Sequence, residues 1–212
     1  MACLDRSTTP YIPPKPSISE IRPHLFLGNL YSTLNLETLR SNNITALMSL
    51  MDAHHGQWGA PHIRNIIPQA SHLYIQCLDS STTDLLQFMS KVCDFIDEHV
   101  CAPAAGGGDA NVLVHCREGV SRSATMVIAY LMRKDSMSLD DALAEVKEKR
   151  KVRPNPNFLD QLRVWEAVGY QVWQDDDMTI PKEAYQAFLD KRAVLLKSKG
   201  LTGNEPIGIQ SL

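Results

Sequence analysis

Short apolar runs alternate with polar segments along most of the chain, and they predict alternating strands and helices. Apolar runs predict strands at residues 45–50, 73–78 and 111–114, and a strand pair or a strand entry at residues 21–28. Apolar residues at helical spacing predict helices at residues 32–42, 84–100, 124–132, 157–168 and 181–199, and a capping-box-like order predicts a further helix that starts at Ser138. Strands separated by helices predict an α/β fold with a central, mostly parallel sheet flanked by helices.

Three other segments lack this pattern. Residues 1–17 are rich in proline and poor in apolar side chains, which predicts a flexible N-terminal arm. Residues 102–110 are small and glycine-rich, which predicts a flexible connector, and residues 52–64 contain the glycines, the proline and the histidines that favour a loop. The core is therefore expected at residues 18–170. Residues 171–212 form a C-terminal extension whose one helix either packs on the core or binds another chain, including a second copy.

Composition is that of an ordinary globular protein. Apolar residues make up 44% and charged residues 21% of the 212 residues, and the net charge of -3 favours neither nucleic acid nor a membrane surface. No apolar run approaches the ~20 residues of a membrane span, and the first residues lack a signal-peptide core. We expect a cytoplasmic or nuclear protein. The five cysteines show no CxxC spacing, which argues against a disulfide framework or a zinc knuckle.

The stretch from His115 to Ser123, called the Cys116 loop (residues 115–123), joins a predicted strand to a predicted helix. A thiolate is a strong nucleophile, and the unpaired N–H groups at a helix start favour bound anions. Five residues separate Cys116 from Arg122, whose planar guanidinium can hold two phosphoryl oxygens. The alternative is a core cysteine before a helix, which this combination of residues disfavours. The loop therefore predicts an anion site with a nucleophile at its base.

Other residues of the Cys116 loop fit the same interpretation. Gly119 permits a backbone turn that a Cβ atom would hinder. Ser121 and Ser123 place hydroxyl groups beside the sulfur, where one could stabilise the leaving thiolate.

The whole pattern, H-C-x-x-G-x-S-R-S, resembles that of the dual-specificity phosphatases of the protein tyrosine phosphatase superfamily. Residues 21–28 resemble the family's opening I-x-P-x-L-[FY]-L-G, and Cys77-Leu78-Asp79 resembles the segment that carries its general acid. Residues 94–97 and 154–162 resemble two of its helices, so the resemblance covers roughly residues 18–170. The sequence is similar to that of the small atypical or Yvh1-type members of the family. Because no cysteine follows Cys116, we expect no Yvh1-type zinc module in this sequence.

The resemblance implies hydrolysis of phosphotyrosine and of phosphoserine or phosphothreonine in two steps. The Cys116 thiolate would form a phosphocysteine, and an aspartic acid would protonate the leaving oxygen and then activate water. Phosphorylated proteins are the implied partners, and no metal or other cofactor is expected. Phosphate binding is assigned to Arg117, Glu118, Gly119, Val120, Ser121 and Arg122, and support of the loop to His115 and Ser123.

Two aspartates compete for the role of general acid. Asp79 follows a predicted strand at the mouth of a loop and aligns with the family's acid, so we favour it. Asp84 starts a predicted helix, where a carboxylate complements the helix dipole. His115 either orients the loop or is a satisfied core histidine. A phosphoinositide phosphatase and a phosphoprotein-binding scaffold remain alternative functions, although Glu118 is poorly suited to a highly anionic headgroup.

Several other residues allow two interpretations. Trp58 either forms a recognition surface or covers the core edge, and we favour solvated histidines over metal ligands at residues 54–62. The basic run at residues 147–153 is interpreted as a solvated helix end, with a second acidic or phosphate contact as the alternative. A resolving cysteine for Cys116 is open among Cys77, Cys93 and Cys101.

Overall fold

A computed structural model of the protein describes residues 15–100 and 110–203. The flexible arm predicted at residues 1–17 lies almost entirely outside the described residues. The connector predicted at residues 102–110 and the last residues of the C-terminal extension do so as well. Within the described residues, no helix has the length and apolar content needed to cross a membrane.

One sheet of five strands runs through the described residues. Its strands are β1 (Ile18–Arg22), β2 (Leu25–Asn29), β3 (Ile44–Met51), β4 (His72–Gln76) and β5 (Asn111–Cys116), in the order β1-β2-β5-β3-β4. β1 is antiparallel to β2, and the other neighbours are parallel. β5 lies in the centre with all of its residues buried, as expected for a parallel strand covered on both faces. The predicted α/β fold with a mostly parallel sheet is confirmed, and residues 21–28 belong to a strand pair.

Helices cover both faces of the sheet. They are α1 (Leu30–Leu34), α2 (Leu36–Ser41), α3 (Pro61–Arg64), α4 (Leu86–Val100), α5 (Arg122–Asp135), α6 (Leu139–Lys149), α7 (Pro156–Ala167) and α8 (Glu183–Ser198). The single helix predicted at residues 32–42 is wrong, because Asn35 has an extended backbone and separates α1 from α2. Its side chain accepts a hydrogen bond of 2.7 Å from Thr38 N, so it acts as the N-cap of the second helix.

The two faces of the sheet bury separate hydrophobic cores. The larger core joins α4, α5, α6 and α7 to the sheet, and the smaller core lies under α1, α2 and the segment that follows β3. That segment was predicted as a plain loop, but it contains a 3-10 turn (Gly56–Gly59) and α3. Trp58 is fully buried and donates to Thr33 Oγ1 at 2.9 Å, so it belongs to the core and not to a surface.

The C-terminal extension returns to the larger core. Val172 and Tyr185 are buried in it, and α8 packs beside α7. Of the two roles that the sequence left open for the helix, packing on the core is the one observed. The extension thereby approaches the segment between β4 and α4, which lies at the same edge of the sheet as the Cys116 loop. In parallel sheets this carboxyl edge is where ligands bind.

Candidate active site

Cys116 is the last residue of β5, and its side chain is buried beneath the Cys116 loop. Its Sγ atom accepts hydrogen bonds from Ser123 Oγ at 3.1 Å and from Gly119 N at 3.2 Å. Burial alone would raise the pKa of this thiol. The hydroxyl and backbone N–H of Ser123 and the positive charge of Arg122 outweigh that effect and lower the pKa below its ordinary value. The site therefore favours the thiolate.

Gly119 gives the loop its turn. Its φ angle is +70°, and a Cβ atom added there would lie 2.3 Å from the carbonyl oxygen of Gly28 in β2. A side chain is thus excluded both by the left-handed backbone and by the close approach of another strand. This observation agrees with the role that the sequence assigned to this glycine.

Arg150 holds the loop from outside. Its Nε donates to Gly119 O at 2.8 Å, and its Nη2 donates to Glu118 O at 3.2 Å. In a trans peptide unit the C=O and N–H groups point in opposite directions. Because Glu118 O faces the Arg150 guanidinium, the N–H group of Gly119 in the same peptide unit points towards the thiol, and it donates to Cys116 Sγ. The predicted solvated helix end is correct for the exposed Lys149 but wrong for Arg150, which is half-buried.

Arg122 begins α5 and is 6% exposed. Its Nη1 donates to the carbonyl of Cys77 at 2.9 Å, which ties the guanidinium to the end of β4. Its Nε makes no hydrogen bond to any described residue. A buried N–H of a cation without a partner is costly, so this group can bind an oxyanion at little further desolvation cost.

Asp79 lies at the rim of the same site. Its Oδ1 accepts from Ser121 Oγ at 3.0 Å and from Asn155 Nδ2 at 2.9 Å, and its Oδ2 is 3.9 Å from Arg122 Nε. The structure therefore brings this carboxylate, which follows β4, to the loop that follows β5. Asn155 lies in the range 154–162 that resembles one of the family's helices. Its contact with the carboxylate of Asp79 could not be predicted from sequence spacing.

Asp84, the other candidate acid, is buried outside the site. Its Oδ1 accepts from Leu86 N at 2.9 Å, and its Oδ2 accepts from the hydroxyl of Tyr185 at 2.8 Å. Burial raises the pKa of this carboxyl, although its hydrogen bonds with Tyr185 and Leu86 and the charge of Arg192 act in the opposite direction. The sequence predicted a carboxylate that supports the helix start, and the bond to Leu86 N agrees with that prediction.

A cavity of about 800 Å³ opens above the thiol. The predicted residues that line it are Asp79, Cys116, Arg117, Glu118, Val120, Ser121 and Arg122. The remaining wall comes from the segment that leads into α7, formed by Arg153, Pro154, Asn155, Pro156 and Leu159. Arg153 belongs to the basic run for which a second phosphate contact was the alternative interpretation. The apolar residues Pro154, Pro156 and Leu159 were not predicted as part of the site, because their position depends on how α7 packs against α5.

His115 lies beneath the loop and is completely buried. Its Nε2 is 2.6 Å from Ser49 Oγ, and its Nδ1 is 3.3 Å from the carbonyl of Cys116. Burial lowers the pKa of this imidazole to about 3, so the ring is neutral at physiological pH. Both interpretations apply, because the ring is a satisfied core group that also contacts the backbone carbonyl of Cys116.

A direct disulfide partner for Cys116 is not in place among the described cysteines. Cys77 follows β4, and β3 lies between β4 and β5. Two strand spacings amount to roughly 10 Å, whereas a disulfide needs Cα atoms within about 7 Å. Cys93 is buried in α4, and burial raises the pKa of both thiols to about 12. Cys101 lies outside the described residues.

The histidines that follow β3 do not form a metal site. In the described ranges, 15–100 and 110–203, no three histidine, cysteine or acidic residues stand close enough to hold a metal ion. His54 and His55 instead pack their rings near Trp58, at centroid distances of 5.2 Å and 5.9 Å. His62 is exposed.

Comparison with known proteins agrees with this geometry. A family model described as the dual specificity phosphatase catalytic domain matches residues 25–168. The chain is 38% identical over 160 residues to dual specificity protein phosphatase MPK-4 of Drosophila melanogaster, covering 74% of this chain and 38% of that protein. It is 35% identical over 150 residues to dual specificity protein phosphatase 1B of Arabidopsis thaliana, covering 70% of this chain and 81% of that protein.

A solved structure leads to the same group of proteins. The Yvh1 phosphatase domain from Chaetomium thermophilum has a TM-score of 0.63 and 28% sequence identity, and the match covers 72% of this chain and 97% of that domain. The chain thus spans about two fifths of MPK-4 but nearly all of an isolated phosphatase domain. Since the family model covers more than half of the chain and includes the whole Cys116 loop, this chain belongs to the dual specificity phosphatases.

Proposed function

We propose that the chain hydrolyses phosphotyrosine and phosphoserine or phosphothreonine on proteins through a phosphocysteine intermediate. The observation that carries this proposal is the buried thiol of Cys116, which accepts two hydrogen bonds and has a lowered pKa at the base of a cavity. The N–H groups of the Cys116 loop and the Nε of Arg122 supply the positive potential that a phosphoryl dianion requires.

In the first step, the thiolate of Cys116 attacks phosphorus as the bond to the substrate oxygen breaks. Asp79, in its protonated form, gives its proton to that departing oxygen. Its place at the rim of the cavity, hydrogen-bonded to Ser121 and Asn155, supports this role. The products are the dephosphorylated hydroxyl group and a phosphocysteine.

In the second step, the carboxylate of Asp79 takes a proton from water, and the water oxygen attacks phosphorus. The phosphorus–sulfur bond breaks, inorganic phosphate leaves and the thiolate returns. The hydroxyl of Ser123, at 3.1 Å, stabilises the sulfur as its negative charge reappears. All of these groups belong to the protein itself, as in other covalent phosphoryl transfers.

The walls of the cavity support a protein substrate. Pro154, Pro156 and Leu159 offer an apolar surface along which a phosphotyrosine ring could pack. Glu118 also lines the cavity, is exposed and would repel a headgroup that carries several phosphates. These features favour a single phosphomonoester on a peptide over a phosphoinositide.

Turnover of a fluorescent aryl phosphate by the wild type and by Cys116→Ser tests the catalytic proposal. We expect the variant to lose activity by at least about 10³-fold, because serine oxygen is a far weaker nucleophile than a thiolate. Wild-type protein that turns over nothing would instead indicate a phosphoprotein-binding scaffold.

A second assay separates substrate classes. The wild type is given matched phosphotyrosine, phosphoserine and phosphothreonine peptides and short-chain phosphoinositides. We expect release of phosphate from all three phosphopeptides, and a lower kcat/KM for the phosphoinositides than for the peptides. Faster hydrolysis of the lipids would contradict the proposed substrate class.

A further inference from the structure

The segment that carries Asp79, called the Asp79 segment (residues 79–85), runs between β4 and α4. Its middle is a hydrogen-bonded unit of its own, since Ser80 Oγ lies 3.1 Å from Thr82 Oγ1 and 3.0 Å from Thr83 Oγ1. Movement of Thr82 would therefore be transmitted to Ser80, the immediate neighbour of the carboxylate. The contacts that fix this hydrogen-bonded unit therefore also determine the position of Asp79.

One side of the segment is held by α7. Asn157 Nδ2 donates to Ser80 O at 3.1 Å and to Thr83 O at 2.8 Å. Gln161, which is fully buried, donates to Thr83 O at 2.8 Å and accepts from Leu85 N at 2.7 Å. This helix lies within the residues matched by the family model.

The other side is held by α8, which lies beyond the matched residues. The hydroxyl of Tyr185 donates to Asp84 Oδ2 at 2.8 Å, and Arg192 Nε donates to Thr82 O at 2.6 Å. Tyr185, Asp84 and Thr82 are 2%, 6% and 3% exposed, so water cannot easily replace these partners. Both bonds reach the segment from residues about a hundred positions away in sequence.

Close packing around the segment is incomplete, although Thr82 and Asp84 are buried. A cavity of about 420 Å³ lies between α7 and α8, and Ser81, Asn157 and Arg192 are among its lining residues. On this side no side chains fill the space beside the segment, so directional hydrogen bonds contribute more to its position. The hydrogen bond from Arg192, which lines the cavity, therefore matters more than it would in a filled interior.

We propose that α8 is a positioning element for the general acid, acting through Tyr185 and Arg192. By holding Thr82 and Asp84, these side chains keep the Asp79 carboxyl against Ser121 and Asn155 at the rim of the cavity. The inference rests on the proposed function, in which Asp79 is the proton donor. It assigns to the C-terminal extension a role in the chemical step.

A comparison of leaving groups tests the proposal. The variants are Tyr185→Phe and Arg192→Gln, and kcat/KM, which reports formation of the phosphocysteine, is measured with two substrates. The leaving oxygen of phenyl phosphate needs a proton, and that of para-nitrophenyl phosphate needs one far less. We expect kcat/KM for phenyl phosphate to fall about 10-fold, part of the 10²–10⁴ that positioned proton transfer supplies. We expect kcat/KM for para-nitrophenyl phosphate to change less than about 2-fold. Arg192→Lys, which keeps a donor, should restore part of the loss.

Two matched variants serve as controls. Tyr170→Phe also removes a tyrosine hydroxyl bonded elsewhere, to Met137 O, and Lys197→Gln also removes a cation from α8. Both should behave as the wild type. Normal turnover of para-nitrophenyl phosphate shows in the same assay that each variant is folded.

Asp79→Asn separates failure of this inference from failure of the proposed function. If Asp79→Asn lowers kcat/KM for phenyl phosphate far more than for para-nitrophenyl phosphate but Tyr185→Phe and Arg192→Gln do not, positioning by α8 is disproved and the general acid stands. Equal losses with both substrates would reveal a merely structural role for α8 and would also overturn the inference. If Asp79→Asn itself turns over phenyl phosphate normally, the assignment of the acid fails and this inference falls with it.

Discussion

The thiol of Cys116 shows how a single residue is tuned by its neighbours. Burial would make it a poor nucleophile at neutral pH, yet the hydroxyl and N–H of Ser123 and the charge of Arg122 reverse that effect. The Cys-x5-Arg spacing and the serines identified these groups in the sequence. The distances that give them their effect depend on Gly119, whose backbone N–H reaches the sulfur.

Replacing Ser123 with alanine should raise the pKa of Cys116, because a hydrogen bond to a charged acceptor is lost. A bond of this kind contributes about 1.5–3 kcal/mol, which corresponds to roughly one pKa unit or more. More of the thiol is then protonated at a given pH, so the low-pH limb of kcat/KM should shift to higher pH by about one unit. The pH dependence of Cys116 alkylation, followed by mass spectrometry, provides an independent measurement, and an unchanged limb would contradict the role given to the hydroxyl.

Asp79→Asn should remove proton transfer to the leaving group while leaving the thiolate intact. We expect kcat for phenyl phosphate to fall by about 10²-fold or more. Asp140→Asn is the comparison and should behave as the wild type, since that carboxyl is exposed in the first turn of α6 and does not line the cavity. Near-normal turnover of phenyl phosphate by Asp79→Asn would show that the assignment is wrong.

At the scale of elements, the end of α6 braces the Cys116 loop. The guanidinium of Arg150 contacts the carbonyls of Gly119 and Glu118, whereas Lys149 beside it is exposed. The basic run in the sequence could not distinguish these two side chains, because both have the same charge and adjoin one helix end. The difference arises from tertiary packing, which places Arg150, but not Lys149, against the outer side of the Cys116 loop.

Arg150→Met and Lys149→Met should therefore have different effects. We expect Arg150→Met to lower kcat/KM for a small aryl phosphate and for a phosphopeptide alike, by about 10-fold, because both substrates use the same loop. Lys149→Met should leave the small substrate unaffected and at most raise KM for an acidic phosphopeptide. Equal behaviour of the two variants in both assays would refute the bracing role.

Elements with long-range periodicity were the most predictable. The strand at residues 111–114 and the helices at residues 84–100 and 157–168 appear within a few residues of their predicted places. Short elements were less predictable. Asn35 splits one predicted helix into two by capping the second, and Trp58 turns a predicted loop into part of a core. Each effect depends on the hydrogen bond of a single side chain, from Thr38 N to Asn35 and from Trp58 to Thr33, and hydrophobic periodicity does not predict such contacts.

Across the whole molecule, the sequence predicted the catalytic core but not the place of the extension. The apolar side of residues 181–199 predicted a helix, and α8 is observed there. Its docking surface depends on Tyr185 meeting a buried carboxyl more than a hundred residues earlier in the chain. Contacts of that kind have no local signal.

Two histidines, the buried His115 and the half-buried His72, link the stability of the whole molecule to pH. Ser49 Oγ lies 2.8 Å from His72 Nε2 and 2.6 Å from His115 Nε2. Burial is the main cause that lowers the pKa of His72 to about 4 and that of His115 to about 3, from an ordinary 6.5. Below pH 6.5 the unfolded chain therefore binds more protons than the folded chain, and folding stability falls as pH drops from about 6.5 towards 4.

The slope of this loss is at most about 1.4 kcal/mol per pH unit for each histidine. Urea unfolding at pH 7.5, 6.0 and 5.0 measures it. We expect His72→Gln to reduce the pH dependence of the unfolding free energy, whereas His62→Gln, at an exposed position, should leave it unchanged. A wild type equally stable at pH 7.5 and pH 5.0 would contradict the neutral state of both rings.

The hydrogen bond from Arg122 Nη1 to the carbonyl of Cys77 has a consequence for how ligands stabilise the fold. It fixes a guanidinium of α5 against the end of β4, so the proposed anion site can form only in the native fold. A ligand that binds only the native state stabilises it by mass action, by about 2.7 kcal/mol at a hundred times its Kd. Melting temperature measured on Cys116→Ser should thus rank phosphorylated compounds by affinity without any of them being consumed.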